Sequence, residues 1–289
     1  MAQVIATNSL SLFVQQNLDK AQKSLNQSIA RLSSGSRINS AQDDAAGLAI
    51  SDGMLSQSNG LYQANRNAND GISLVQTADS ALGVVTDNIQ RIRDLVVQGA
   101  NGTYTNEDRQ GINNEINARI SEIARLSRDT AFNQQSLLGS ADGSATGEGL
   151  AVNIQIGAYD GQTLALKMMN VSTISTALKG RADDSAAGNA LIDADGHMQA
   201  NALSLIDKQI KSVDDTRSVL GAKYNSLESI IVSNGDSAVN LSAARSQIMD
   251  ADYAAEVSAM SKAQILMEMG QKVLAQVNAV PQNVLSLLK

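Results

Sequence analysis

The feature that most constrains the fold is an apolar seam that keeps one helical phase from Leu203 to Ile248. Because a helix turns once in 3.6 residues, a sustained seven-residue repeat holds one narrow stripe toward a partner helix. The seam predicts a helix of about 70 Å, which is too long for the centre of a compact domain. Its polar members are typical of residues that fix pairing register. The seam positions are Leu203, Ile206, Ile210, Val213, Arg217, Leu220, Tyr224, Leu227, Ile231, Asn234, Ala238, Leu241, Arg245 and Ile248.

Composition limits the classes of protein that can contain such a helix. Aromatic residues make up 2% of the 289 residues, Trp and Cys are absent, and Pro occurs once. The core must therefore consist of aliphatic side chains, which suits helix-on-helix packing, and a disulfide framework is excluded. The net charge of −7 argues against a nucleic-acid partner, and no apolar run approaches the length of a membrane span. Because the first basic residue is Lys20, no cleaved secretory signal is expected.

Two helical patterns precede the seam. Near the start, a stripe with spacings of four, four and three predicts an amphipathic helix that stops at residues 33–36. Its members are Leu10, Val14, Leu18, Ala21, Leu25, Ile29 and Leu32. The next segment, Ser40 to Asp43, predicts a capping-box start for a second helix that ends near Gln98. The later half of that helix has a stripe suited to pairing with the seam, formed by Val75, Ala78, Leu82, Val85, Ile89, Ile92 and Val96.

Beyond residue 100 the pattern changes from helical to alternating. The segment Thr105 to Asp108 predicts the capped start of a third helix. The apolar face of that helix is formed by Ile112, Ile116, Ile120 and Ile123. Alternating apolar residues on both sides of Asp160-Gly161 then predict a β-hairpin. They are Leu150, Val152, Ile154, Ile156, Leu164, Leu166 and Met168. Residues 180–188 are small and polar, which predicts a surface loop.

The C-terminal segment has a final apolar stripe, and Pro281 interrupts it. The proline predicts a bend or an end of the helix near Val280. The stripe consists of Leu266, Met269, Val273, Val277, Val280, Val284 and Leu287. Because isolated helices are weak in water, we expect the two chain ends to become helical only when other copies bury their stripes. The predicted fold class is mainly α, a long coiled-coil-like helix-bundle rod with a small β-hairpin region.

Three motifs resemble those of bacterial flagellin. They cover both terminal regions of the chain and are highly specific. The first consists of residues 31–40 (RLSSGSRINS) and 43–50 (DDAAGLAI), the second is 89–98 (IQRIRDLVVQ), and the third runs from 263 (AQIL) to 288 (VPQNVLSLL). The middle, from about residue 140 to 200, is short beside the large outer domains of many flagellins.

The resemblance implies a subunit that self-assembles into the helical flagellar filament for swimming motility. Residues 1–44 and 251–289 would form the terminal coiled-coil domain of an inner tube, 45–178 and 200–250 a helical rod domain with the β-hairpin, and 179–199 a short variable surface loop. The residues assigned to polymerisation are Leu10, Val14, Leu18, Leu25, Leu32, Leu266, Val273, Val277, Val284 and Leu287.

The resemblance also implies partners. The subunit would be secreted through the flagellar apparatus without a cleaved signal, held beforehand by an export chaperone on its C-terminal segment, and would meet hook-associated junction and cap proteins. In flagellins similar to this one, the host Toll-like receptor that senses flagellin reads the surface matching Gln90, Arg91, Leu95 and Glu115. The same surface would be a subunit interface in the filament. On the sequence alone, a buried Leu95 and a solvated Arg91 are an equally good interpretation.

No pattern predicts an enzyme, a cofactor or a metal site. His197 is the single histidine and is predicted to lie in a surface loop without convergent partners. Asp43 and Asp44 are better explained by helix capping than by catalysis. Glycosylation acceptor patterns at Asn101 and Asn170 are too common to have much weight. Two alternatives stay open: a junction protein of the same apparatus, and an enzyme or secreted effector.

Overall fold

The computed structural model describes residues 8–139, 149–179, 191 and 198–287, with side chains up to residue 279. Its helices are α1 (Ser9–Ser34), α2 (Ala45–Gly99), α3 (Asn106–Asp129), α4 (Ser172–Lys179), α5 (Ala202–Met249) and α6 (Tyr253–Leu287). Its strands are β1 (Ala131–Phe132), β2 (Gln135–Ser136), β3 (Ala151–Gln155) and β4 (Thr163–Lys167). The prediction of a mainly α fold with a small β-hairpin region is confirmed.

The chain divides into two compact units. The terminal unit consists of residues 1–58 and 239–289, and the central unit consists of residues 59–238. The boundaries between the units fall inside α2 and α5. The predicted domains at 1–44 with 251–289, at 45–178 with 200–250 and at 179–199 describe places in an assembly, and they stay a prediction.

The central unit is organised by the pairing of α2 with α5. Arg217 donates to Asp79 at 2.8 Å, and the amide of Asn65 donates to the Ile231 carbonyl at 3.4 Å. Residue numbers rise along one helix as they fall along the other, so the two helices are antiparallel. The predicted stripe of α2 is buried in this pairing, as are the central seam positions of α5. The fully buried members are Ala78, Leu82, Val85, Ile89, Ile92, Ile206, Val213 and Leu227, all at 0% exposure.

Helix α3 begins as its sequence predicts. The Thr105 hydroxyl accepts from the backbone N–H of Asp108 at 3.2 Å, and the Asp108 carboxylate accepts from the N–H of Thr105 at 3.0 Å. Hydrogen bonds from the Thr105 hydroxyl and N–H lower the pKa of Asp108. The four isoleucines of its apolar face are buried in the core of the central unit. The predicted capping box is therefore confirmed.

The predicted hairpin is also present. Strands β3 and β4 are antiparallel, with Ile154 opposite Leu164. Gly161 in the connecting turn takes φ +79°, a left-handed conformation that suits glycine. The hairpin is tied to α5 because the Asn234 amide donates to the Ile156 carbonyl at 2.9 Å. This polar seam residue therefore bonds to a third element and not across the helix pair.

Two short elements of the central unit were not predicted from the sequence. Strands β1 and β2 form a two-residue hairpin whose turn residues, Asn133 and Gln134, both have positive φ. Helix α4 has eight residues. Neither is long enough to show a periodic pattern, yet the region contributes fully buried side chains to the core, namely Leu137, Leu138, Ile174 and Leu178. The predicted loop at 180–188 and His197 lie outside the described residues.

Candidate assembly and recognition surfaces

Helix α1 ends in a glycine cap that also contacts a distant part of the chain. Gly35 takes φ +71°, and its N–H donates to the Arg31 carbonyl at 2.8 Å. The Gly35 carbonyl then accepts from the N–H of Ala251 at 3.0 Å. Ala251 lies between α5 and α6. The end of α1 is thus hydrogen-bonded to the α5–α6 junction.

Arg37 ties the segment after α1 to the C-terminus of α5. Its backbone N–H donates to the Met249 carbonyl at 2.6 Å, and its guanidinium donates to the Ile248 carbonyl at 2.8 Å. Carbonyls in the last turn of a helix have no helical donor, and a cation is favoured at that end of the helix dipole. This part of the first motif therefore joins the ends of α1 and α5.

The start of α2 differs from the prediction. The Asp43 carboxylate accepts from the N–H groups of Asn39 at 3.2 Å and Ser40 at 3.1 Å, and from the Ser40 hydroxyl at 3.1 Å. These hydrogen bonds, the one from Asn39 first, lower the pKa of Asp43. The helix is capped instead by Asp44, which accepts from the Gly47 N–H at 2.8 Å. The Ser40 cap was a wrong prediction, because the Ser40 hydroxyl donates to Asp43 and accepts no helical N–H.

Helices α1 and α6 are joined by a charged group at one end of their pairing. Glu256 accepts from the Arg31 guanidinium at 2.9 Å and from the Ser28 hydroxyl at 2.9 Å. A second nitrogen of Arg31 lies 4.0 Å from Asp43. The hydrogen bond from Arg31, aided by that from Ser28, holds the pKa of Glu256 below its ordinary value. The carboxylate is therefore a charged acceptor for α1 at neutral pH.

The other end of the pairing is joined by Asn8. Its side-chain oxygen accepts from the Ser11 N–H at 3.1 Å and so caps α1, while its amide nitrogen donates to the Val277 carbonyl at 3.3 Å. Helix α6 does not end near Val280 but continues past Pro281 to Leu287. Proline lacks the N–H that would bond to the carbonyl four residues earlier. That carbonyl belongs to Val277, and Asn8 supplies it with a donor from outside the helix.

The stripe predicted on α1 faces α6 of the same chain. Leu18 lies beside Gly270, since a Cβ built on that glycine would be 3.4 Å from the Leu18 Cδ1. The other members on this face are half-buried, namely Val14, Leu25 and Leu32. Two predicted members, Leu10 and Ile29, are 57% and 47% exposed. This stripe was predicted to contact other copies, whereas most of it has a partner within the chain.

The stripe predicted on α6 is largely uncovered. Its members Leu266, Met269 and Val273 are 51%, 56% and 44% exposed, and Ile265, which was not part of the predicted stripe, is 59% exposed. We call these four residues the exposed row. Val277, at the edge of this row, is buried to 9% exposure. The side chains of Val284 and Leu287 lie outside the described residues. Helix α6 thus has one face on α1 and a second apolar face with no cover within the described part of the chain.

The surface predicted for receptor recognition lies on α2 and α3 of the central unit. Gln90 is exposed, and the Arg91 guanidinium lies 2.9 Å from the Glu115 carboxylate. Arg119 approaches the same carboxylate at 3.9 Å. Leu95 is 2% exposed and belongs to the core. Three of the four predicted residues are therefore accessible, while Leu95 contributes almost no surface.

None of the helices in the described ranges combines the length and hydropathy that a membrane span requires. Over the same ranges, no three metal-ligating side chains are grouped so as to hold an ion.

Comparison with known proteins gives matches at both ends of the chain. The family described as the bacterial flagellin N-terminal helical region matches residues 5–143, and the bacterial flagellin C-terminal helical region matches residues 203–288. A flagellin of Xenorhabdus nematophila is 41% identical over 323 residues, spanning all of both chains. The flagellar filament 33 kDa core protein of Treponema phagedenis is 40% identical over 290 residues, spanning 99% of this chain and 100% of its own. A crystal structure of Bacillus cereus flagellin matches with TM-score 0.47 and 26% identity, over 58% of this chain and 88% of that one.

Proposed function

The chain belongs to the bacterial flagellin family, and from that premise we propose that its two helical ends assemble with those of other copies into a filament that serves swimming motility. As a flagellin it is a structural subunit of the flagellar filament. The alternative of a junction protein is set aside because both matching families are those of flagellin. Within the proposal, residues 1–44 and 251–289 form the inner part of the filament.

The observation that supports this proposal most is the exposed row on α6. Its four side chains are at least 44% exposed, although they lie on a helix whose neighbouring face already packs on α1. A cluster of large apolar side chains in water is stabilised by any partner that removes it from solvent. A further copy of the same chain is the partner expected of a filament subunit. Contacts that repeat head to tail without closing produce an open helical polymer.

Assembly and ordering of the chain ends are expected to be coupled. A helix pair with one uncovered apolar face gains less from burial than a helix surrounded by partners, while the entropic cost of ordering it is the same. In the soluble subunit, therefore, α1 and α6 should open readily. In the filament, neighbouring copies cover the exposed row, and the helices become stable.

The test is elongation of filament seeds by purified chain. Leu266→Asp places a charge in the exposed row and should raise the critical concentration for elongation at least about tenfold, the effect of losing one buried leucine contact. Gln271→Asp is the matched control, because this residue is also exposed on α6 but lies on its polar face. Equal elongation by Leu266→Asp and the control would refute the proposal.

The exposed row also suits an export chaperone on the C-terminal segment. A chaperone that covers an apolar helix face would keep soluble subunits from associating before secretion to the extracellular filament. Leu266→Asp should then weaken co-purification of the chaperone from the native host, whereas Gln271→Asp should not. Hook-associated junction and cap proteins are proposed to contact the same end regions when they adjoin the filament.

A host Toll-like receptor is the proposed outside partner of the surface formed by Gln90, Arg91 and Glu115. The accessible side chains and the Arg91–Glu115 ion pair support this proposal. Arg91→Glu should lower receptor signalling by the soluble chain, whereas Arg125→Glu, at another exposed ion pair on α3, should not. Restoring the internal pair with Arg91→Glu and Glu115→Arg should not restore signalling if the receptor contacts these groups itself. Full signalling by Arg91→Glu would exclude the contact.

A further inference from the structure

We propose that the single proline of this chain determines where the N-terminal end docks on α6. Pro281 leaves the Val277 carbonyl without a helical donor, and Asn8 donates to that carbonyl. The proposal deepens the assembly function above and rests on it, since the pairing of the two chain ends is what assembly is expected to stabilise.

The open Val277 carbonyl follows from helix geometry. In an α-helix the N–H of residue 281 would donate to the carbonyl of residue 277. Pro281 has no N–H, and α6 nevertheless continues to Leu287. The chain contains one proline, so no other carbonyl inside α6 loses its donor in this way. The Val277 carbonyl is thus the acceptor that this proline leaves open on α6.

Asn8 is suited to bond to the Val277 carbonyl because its side chain has both a hydrogen-bond donor and a hydrogen-bond acceptor. Its oxygen caps the first turn of α1 through the Ser11 N–H at 3.1 Å, which fixes the side chain. Its nitrogen is thereby directed to the Val277 carbonyl at 3.3 Å. An aspartate or serine could cap the helix equally well but could not donate an amide N–H. The use of asparagine is therefore explained by the second bond.

Two polar contacts join the helices, Asn8 with Val277 and Ser28 with Glu256, and the distance between them shows how the register of α1 on α6 is set. From Asn8 to Ser28 is 20 residues along α1, and from Glu256 to Val277 is 21 residues along α6. Both spans are about 30 Å at 1.5 Å per residue. The two polar contacts can therefore form together in one register. A shift by one helical turn would break both.

The apolar contacts between the two polar contacts also depend on register. Leu18 lies against Gly270, and a shift by one turn would place a larger side chain there, Leu266 or Leu274. Polar groups inside an apolar seam commonly strengthen the choice of one register. Asn8 and the open carbonyl would do so at the end of the pairing farthest from Glu256.

The first test is a double-mutant cycle between Asn8 and Pro281, read from the critical concentration for seeded elongation. Asn8→Asp and Asn8→Ser keep the cap and remove the amide donor, so each should raise the critical concentration about three- to tenfold, the effect of one hydrogen bond. Pro281→Ala returns an N–H to the Val277 carbonyl. In that background the same substitutions should have less than about a twofold effect. Equal effects in both backgrounds would overturn the proposal, because they would assign Asn8 to capping alone.

The second test reads the register itself. A Cβ at position 270 would lie 3.9 Å from the Leu18 Cβ, within disulfide range, and the chain has no cysteine of its own. Leu18→Cys with Gly270→Cys should therefore cross-link within one chain under mild oxidation. Leu18→Cys with Leu274→Cys is the control pair, one turn out of register.

Adding Asn8→Asp should slow formation of the 18–270 cross-link about threefold or more, and adding Pro281→Ala should remove that difference. An unchanged rate with Asn8→Asp would overturn the proposal. The cross-link is measured in the soluble chain as well as in filaments. A parent chain that cross-links normally but fails to extend seeds would refute the assembly function while leaving the register proposal intact.

Discussion

The central and terminal units of this chain are built from similar aliphatic side chains but bury them to very different degrees. Within the described residues, all of the largest side chains with under 2% exposure belong to the central unit, including Leu82, Ile116 and Leu166. The terminal unit buries few large side chains, such as Ile38 at 2% exposure, beside small ones such as Ala21 and Ala263, and it leaves most of the exposed row and Leu10 at more than 50% exposure. The difference is therefore one of available partners and not of residue type.

This contrast teaches that a helical pattern alone does not tell whether a helix is stable in one copy of the chain. Helix α2 has partners on several sides in the central unit, namely α3, α5 and the β3–β4 hairpin. The described part of α6 has one intrachain partner in the terminal unit, α1. The same apolar periodicity is thus satisfied within the subunit in one region and only in part in the other.

The largest expected effect separates the units by stability of the soluble chain. Ile116→Ala removes a side chain that is 0% exposed and should lower the free energy of unfolding by about 2–5 kcal/mol. Leu266→Ala in the exposed row should change it by less than about 0.5 kcal/mol. Urea unfolding followed by circular dichroism measures both. Comparable losses would break the contrast between the units.

Acid should affect the terminal unit through Glu256. Its pKa is lowered in the folded state by the Arg31 guanidinium, so its stabilising effect is complete above the unfolded pKa of about 4.3 and is lost as the pH falls through the lower folded pKa. Filaments should therefore dissociate more readily below about pH 4. The lowered pKa of Asp43, the other carboxylate near Arg31, adds in the same direction.

Glu256→Gln separates the two carboxylates. At pH 7 the variant should form weaker filaments, because the charged hydrogen bond from Arg31 is worth about 1–3 kcal/mol where it is partly shielded from solvent. Its remaining loss of stability in acid should be smaller than that of the parent chain, since Asp43 still titrates. Light scattering of filaments across the pH range records both quantities. An unaltered pH profile would contradict the assigned role of Glu256.

The smallest expected effect concerns the capping box of α3. Thr105→Ala removes the hydroxyl that accepts from Asp108 and should lower the free energy of unfolding of the soluble chain by about 1 kcal/mol. Thr105→Ser retains the cap and is the control. Filament elongation by either variant should match that of the parent, since this cap belongs to the central unit. A defect confined to elongation would show that the central unit also takes part in assembly, which would contradict the contrast between the two units.

Long patterns were predictable from the sequence, and local hydrogen-bond choices were not. The 203–248 seam and the β3–β4 hairpin were correctly predicted because many residues repeat one spacing. Near the start of α2, Ser40, Asp43 and Asp44 are all good capping residues, and the sequence could not show which carboxylate would meet the helical N–H groups. The two-residue hairpin β1–β2 was missed because it depends on left-handed residues, Asn133 and Gln134, with no periodic signal.

The candidate surfaces were predictable to a similar extent. The apolar stripe of α1 was found, but its partner in the same chain was not, because periodicity identifies a face and not what covers it. Burial of Leu95 in the core depends on which elements of the central unit pack on α2, and no spacing within α2 reveals that. The pairing of Asn8 with the Val277 carbonyl joins residues 269 positions apart, and it became visible only in three dimensions.

The most direct test of the coupling between order and assembly is amide hydrogen exchange on the soluble chain and on filaments. In the soluble chain, α1 and residues 253–287 of α6 should exchange within seconds, while the central parts of α2 and α5 stay protected for hours. In filaments, α1 and α6 should become protected as well. Strong protection of both terminal helices in dilute soluble chain, unchanged by assembly, would contradict the account.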